Sequence, residues 1–174
     1  MRLNPFVWPF RWQCVTGFVV CVALYAYAIY VQFAQGIEPC NLCIFQRIAV
    51  IALAIVFLVA AIHDPAQRGR RVYGLLLLLS ACGGIGVAVR HLWVQSQPRD
   101  PFAGCAPGWN YMIENFPLSK AIRMAFEGSD DCSQINWTFL GLPMPFWTLV
   151  CFALLGAGAL WAGFSARAAG RRST

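Results

Sequence analysis

Four long apolar runs, separated by short polar clusters, dominate the chain. They cover about residues 15–33, 42–62, 72–92 and 146–164, and apolar character in the third persists to Val94. A helix needs roughly 20 apolar residues to cross the hydrocarbon core of a bilayer, and each run approaches that length. Four such runs in 174 residues leave almost nothing to cover a soluble surface. The pattern therefore predicts an all-α membrane protein: a four-transmembrane-helix bundle forming one membrane domain over residues 1–174. A long loop at about residues 95–144 joins the third helix to the fourth. No small-residue cleavage site follows the first run, so it reads as a retained helix rather than a cleaved signal peptide.

Composition agrees. The chain is 59% hydrophobic and 11% charged, with a mean hydropathy of +0.60, whereas a soluble domain carries about 25% charged residues. The formal charge of +6 would suit a nucleic-acid binder if it lay on one polar face. Instead the arginines form short clusters between the apolar runs, which excludes that class and reads as an orientation signal.

Arg2 and Arg11 precede the first run, Arg68, Arg70 and Arg71 lie between the second and third, and Arg167, Arg171 and Arg172 follow the fourth. The long loop has Arg99, Lys120 and Arg123 against Asp100, Glu114, Glu127, Asp130 and Asp131, a net of −2. Basic residues stay on the cytoplasmic side. Both termini and the short middle linker are then cytoplasmic, and the Gly36–Cys43 linker and the long loop share the opposite face. In a bacterial inner membrane that face is the periplasm, where disulfides form and persist. Within the long loop, Tyr111–Phe126 alternates apolar residues (Leu118, Ile122, Phe126) with Lys120 and Arg123, the pattern of a short amphipathic helix lying on the membrane surface.

Eight cysteines divide into two sets. Cys14, Cys21, Cys82 and Cys151 lie in or beside apolar runs, where a free cysteine packs as a small inert hydrophobe. Cys40, Cys43, Cys105 and Cys132 lie in polar or turn-rich sequence, and all four fall on the outward face. Pro39-Cys40-Asn41-Leu42-Cys43 opens the second helix. Two cysteines three apart share a helix face, and the partial positive charge of a helix N-terminus favours thiolate. Arg47 lies one turn beyond Cys43 on the same face. It reads either as a snorkelling anchor or as a cation that stabilises a Cys43 thiolate and an anionic oxygen beside it.

Other readings of the CxxC are weaker. A c-type haem site needs a histidine after the second cysteine, and Ile44 stands there. A zinc site built from Cys40, Cys43, Cys105 and Cys132 lacks the tight spacing of such sites, so no metal is expected. Cys105 and Cys132 flank a loop whose disulfide would stabilise by roughly 3–4 kcal/mol if it were only a staple. A staple leaves the second pair on the same face unexplained, whereas two pairs there can exchange by thiolate attack. No Rossmann, haem or iron–sulfur motif supplies an electron acceptor. A two-electron acceptor that reaches the end of a membrane helix should itself be lipid-soluble, a description that a quinone fits.

The run Pro-Cys-x-Leu-Cys-Ile-x-x-Arg resembles the DsbB family of bacterial inner-membrane thiol oxidases. So does Phe-Pro-Leu-Ser before a Gly-Ser-x-x-Cys, followed by Trp137-Thr138-Phe139-Leu140-Gly141-Leu142-Pro143-Met144-Pro145. The resemblance spans most of the chain. It implies reoxidation of a periplasmic DsbA-type partner, with electrons passed to ubiquinone or menaquinone. It also implies that Cys105 is attacked by the partner, Cys132 is released to attack Cys40, and Cys43 faces the quinone. Arg47 and His91 would then be quinone-site residues. Two rivals remain at this level: a vitamin-K-epoxide-reductase-like protein, disfavoured because its CxxC lies in the last helical part, and a non-catalytic scaffold with a structural loop disulfide. The orientation is open to a direct check: a membrane-impermeant thiol reagent should label reduced Cys105 on intact spheroplasts, and labelling only after lysis would reverse the topology.

Overall fold

The computed structural model describes residues 8–36, 39–97, 109–127, 132 and 138–165. Four long helices carry the architecture: α1 Phe10–Gln35, α2 Asn41–His63, α3 Gln67–Ser96 and, last in the chain, α6 Met144–Phe164. All four are long and apolar enough to cross a bilayer. Between α3 and α6 lie α4 Trp109–Asn115, α5 Leu118–Glu127 and a hairpin of β1 Thr138–Phe139 with β2 Leu142–Pro143. The first three helices are longer than the apolar runs because flanking residues, many of them polar, extend them at both ends. Arg68, Arg70 and Arg71, expected in a linker, form the first turns of α3.

The bundle is apolar on the outside, and small residues recur among the large ones on the inside. Val19, Ile55, Ile62, Leu79 and Leu154 point outward and are exposed, while Ala60, Ala81, Ala88 and Ala159 are buried. In a bilayer the apolar exterior costs nothing, and helices associate by close packing of small residues. The α3–α6 seam shows this directly. A methyl group added at Gly163 would stand 3.0 Å from the Arg70 carbonyl oxygen and 3.2 Å from Gly74 Cα. One added at Gly84 would strike the Phe152 ring. α2 packs between α1 and α3, and α1 closes the ring against α6.

The two ends differ. At one end Arg70 donates from Nε to the Pro65 carbonyl oxygen at 3.0 Å, lies 4.0 Å from Asp64 and covers the Phe10 ring. At the other end the start of α2, the end of α3 and the start of α6 converge. There α5 docks on α2: the Phe126 ring is 5.0 Å from Phe45, and Arg90 Nε donates to the Phe126 carbonyl oxygen at 2.9 Å. Met112, Ala121 and Ala125 are buried beneath, while Leu118 and Ile122 face outward.

The amphipathic stretch expected over Tyr111–Phe126 is thus two helices. Pro117 cannot donate the backbone bond that would continue α4. The hairpin was not foreseen. Leu140 and Gly141 both take positive φ, +53° and +77°, as a two-residue type I′ turn requires. Trp147 Nε1 donates to the Phe139 carbonyl oxygen at 3.1 Å and ties the hairpin to α6.

The seam gives a contrast within one helix. Gly163→Leu forces backbone apart and should destabilise by about 1–3 kcal/mol. Gly158→Ala, with nothing within 4 Å of the added carbon, should be neutral or stabilise by up to about 1 kcal/mol. Thermal melts in detergent check both, and equal Tm values for the two variants would contradict the seam.

Candidate functional site

The site is built where α2 begins. Cys40 is the N-cap, with extended φ/ψ of −65° and 164°, and the Ile44 N–H donates to its carbonyl oxygen at 3.1 Å. Pro39 therefore stands just before the cap rather than in the first turn. One turn of helix brings Cys43 back beneath Cys40. The two thiols lie 3.0 Å apart, with Cys40 donating to Cys43.

α3 adds His91 from the side. Its Nε2 is 3.8 Å from the Cys40 sulfur, and the residue is 2% exposed. Although it lies near the end of α3, His91 is therefore not hydrated. The other ring nitrogen, Nδ1, lies 3.4 Å from Gln46 Nε2. The Thr148 hydroxyl of α6 stands 3.1 Å from Gln46 Oε1 and 2.9 Å from the Pro145 carbonyl oxygen. α2, α3 and α6 are thus joined by one polar chain running from Thr148 to Gln46 to His91. Sequence reasoning passed over Gln46 and Thr148. The signal was a glutamine one residue before Arg47 in an otherwise apolar helix.

Cys132 lies at the same place. Expected in an exposed turn, it is fully buried and packs with Leu42, Val94 and Cys40. Its thiol hydrogen-bonds Cys40. That bond lowers the pKa of Cys40, but the contact with Cys43 and burial outweigh it and push the Cys40 thiol up to about 12. Cys105, the other predicted loop cysteine, lies outside the described residues.

Arg47 extends across to α1. Its Nη1 donates to Gln32 Oε1 at 2.7 Å and its Nη2 to the Ala28 carbonyl oxygen at 3.4 Å. Of the guanidinium's five N–H groups, these contacts use two. The side chain forms part of the wall of a cavity of about 570 Å³ that Cys40, Cys43, His91 and Gln95 also line. Tyr25, Val31, Trp147 and Phe152 make the walls mainly apolar. Gln95 Oε1 is buried without a hydrogen-bond partner.

The remaining cysteines are scattered. Cys14 and Cys21 are buried in the core cluster of the bundle. Cys151 lies on the far cavity wall, and Cys82 sits on the outer, apolar face of α3.

The raised Cys40 pKa has a kinetic signature. A thiol reacts as its thiolate, so below its pKa the rate rises about tenfold per pH unit. In the reduced protein, Cys40 alkylation followed by mass spectrometry should climb from pH 7 to 10 without levelling. A plateau near pH 9, the behaviour of an ordinary thiol, would contradict the burial argument.

Comparisons with known proteins identify the family. The family model described as "Disulfide bond formation protein DsbB" matches residues 10–162. A protein named "Disulfide bond formation protein B" from Xanthomonas euvesicatoria pv. vesicatoria is 49% identical over 166 residues, covering 95% of this chain and 96% of the relative. One of the same name from Nitrosococcus oceani is 47% identical, covering 87% and 89%. Another from Methylococcus capsulatus is 50% identical, covering 83% and 88%. With four membrane-length helices and clustered thiols at one end, the chain belongs to the DsbB family of disulfide bond formation proteins, as a multi-pass membrane protein with disulfide-forming oxidoreductase activity.

Proposed function

We propose that this protein oxidises a periplasmic DsbA-type dithiol protein and passes the electrons to a membrane quinone. The observation that carries the reading is the contact of Cys132 with Cys40 beside an apolar cavity that both CxxC thiols line. In this reading the chain sits in the bacterial inner membrane, with both termini cytoplasmic and the thiols facing the periplasm.

The sequence of exchanges balances without an outside reagent until its last step. A partner thiolate attacks Cys105 of a Cys105–Cys132 disulfide and releases Cys132 as thiolate. Cys132 attacks Cys40 of a Cys40–Cys43 disulfide and releases Cys43. The partner's second thiol then frees Cys105 and leaves with its new disulfide. Cys105 recaptures Cys132, and the CxxC pair is left reduced. Burial of Cys132 against Cys40 supports the second exchange, because the attacking and accepting sulfurs need no long excursion.

Ubiquinone or menaquinone would supply a two-electron sink that returns Cys40 and Cys43 to the disulfide. The cavity suits such a ligand. Its volume falls within the roughly 300–1,000 Å³ of small-molecule sites, and its apolar walls match a lipid-soluble ring. Arg47 has N–H groups beyond those given to Gln32 and Ala28, and Gln95 Oε1 is a buried acceptor in need of a donor. Arg47, His91 and Gln95 are the residues that would hold the head group. His91 beside the Cys40 sulfur is placed to hold or pass a proton there.

The decisive experiment is quinone reduction by the purified protein given a reduced periplasmic dithiol protein. Turnover should be abolished in Cys40→Ser and Cys105→Ser. Arg47→Ala should slow quinone turnover by tenfold or more, while mixed-disulfide formation at Cys105 changes less than twofold. Equal losses in both steps would remove the role given to Arg47, and turnover surviving in Cys40→Ser would end the relay.

A further inference from the structure

Beyond electron transfer, the same thiols form a donor set of another kind. The ligand atoms of Cys40, Cys43 and His91 all lie within 4.8 Å of one another. In a tetrahedral zinc site, bond lengths of about 2.3 Å to sulfur and 2.0–2.1 Å to nitrogen put the ligand atoms about 3.5–3.8 Å apart. The 3.8 Å between Cys40 Sγ and His91 Nε2 is close to the sulfur–nitrogen value, and the Cys43–His91 separation is at most 4.8 Å. The 3.0 Å between the two sulfurs needs only a small side-chain rotation to match it.

The surroundings supply what a metal site asks of its second layer. A ligating histidine donates its other N–H to an oxygen, which fixes the ring and its tautomer. His91 Nδ1 faces the Gln46 side-chain amide. Turning that amide by 180° puts Gln46 Oε1 against Nδ1–H and Nε2 against Thr148. The Thr148 oxygen can accept there while its proton goes to the Pro145 carbonyl oxygen 2.9 Å away. The polar chain thus holds His91 with its Nε2 lone pair toward the thiols at no loss of hydrogen bonds. This set differs from the four-cysteine set that spacing disfavours, because α3 contributes a histidine that no sequence spacing connects to the CxxC.

We propose that the reduced chain binds one zinc-class divalent cation through Cys40, Cys43 and His91, and that oxidation of the two cysteines expels it. Binding displaces the protons of both thiols and forms two metal–sulfur bonds, with no electron transfer. Forming the Cys40–Cys43 disulfide removes two of the three ligands. The cation is therefore a ligand of the dithiol state rather than a resident cofactor. The inference does not depend on the quinone reading, since it concerns the reduced chain alone.

The test uses the full chain in detergent, reduced, freed of reductant without oxygen, and titrated with Co²⁺ and then Zn²⁺. One Co²⁺ per chain should bind, with the intense visible bands of a tetrahedral site and sulfur-to-cobalt charge transfer, and one equivalent of Zn²⁺ should displace it. Oxidised protein should show neither. His91→Ala should weaken binding at least tenfold. His91→Cys should restore it with stronger charge transfer, a gain that an unfolded chain would not give. In the unaltered chain, one equivalent of Zn²⁺ should protect Cys40 and Cys43 from maleimide. Binding that survives oxidation, affinity unchanged in His91→Ala, a weak six-coordinate spectrum, or thiols left unprotected by Zn²⁺ would each overturn the proposal.

Discussion

A buried hydrogen-bond chain, from Thr148 through Gln46 to His91, fixes where the reactive thiols stand in this bundle. Polar side chains within apolar helices are expensive unless they find partners, because no water is present to satisfy them. Gln46 on α2, His91 on α3 and Thr148 on α6 meet that demand with one another, and in doing so lock the end of the bundle in one arrangement. The CxxC rides on α2 six and three residues before Gln46, so its position relative to His91 follows. Loss of the chain would leave three helices free to shift at the one place where a few tenths of an ångström decide sulfur contacts.

At the opposite end close backbone packing joins the polar contacts of Arg70. Gly74 and Gly163 let α3 and α6 approach until backbone meets backbone. This close seam leaves the wider space of the bundle between α1, α2 and α6, lined by Arg47, Val31 and Trp147. Tight contact at the α3–α6 seam and an open cavity beside α2 are two consequences of where small and large residues fall. The cavity meets the thiols because the start of α2 forms part of its wall. Gln95 and Arg47 are the polar groups that keep it from being a plain lipid crevice.

Much of the fold was legible in the sequence. Four apolar runs of membrane length admit few arrangements in 174 residues, because a bilayer accepts helices whose backbone bonds close within each segment. The grouping of Arg68, Arg70 and Arg71 at one end was legible too, since it depends on chain order alone. The CxxC was equally local: one turn of helix is enough to bring Cys40 to Cys43. Local rules also governed what was read imperfectly. Pro117 splits the expected amphipathic helix, and Leu140-Gly141 makes a hairpin that carries none of the usual turn pairs.

What the tertiary structure alone decided is which distant residues share the site. His91 is 51 positions from Cys40, and Thr148 is 102 from Gln46. No periodicity or spacing relates them, because their meeting depends on the rotation of each helix about its own axis. That rotation is chosen by the glycine seam and by the pairing of buried polar groups, both properties of several helices at once. Cys132 makes the same point. Its sequence of small polar neighbours reads as an exposed turn, yet it is buried against Leu42 and Val94. The sequence by itself determined a four-helix membrane protein with a thiol pair at a helix start. Family resemblance alone had put His91 and Cys132 at that pair; packing gave them their contacts and added Gln46 and Thr148, since nothing local to a helix says which of its faces a neighbour will cover.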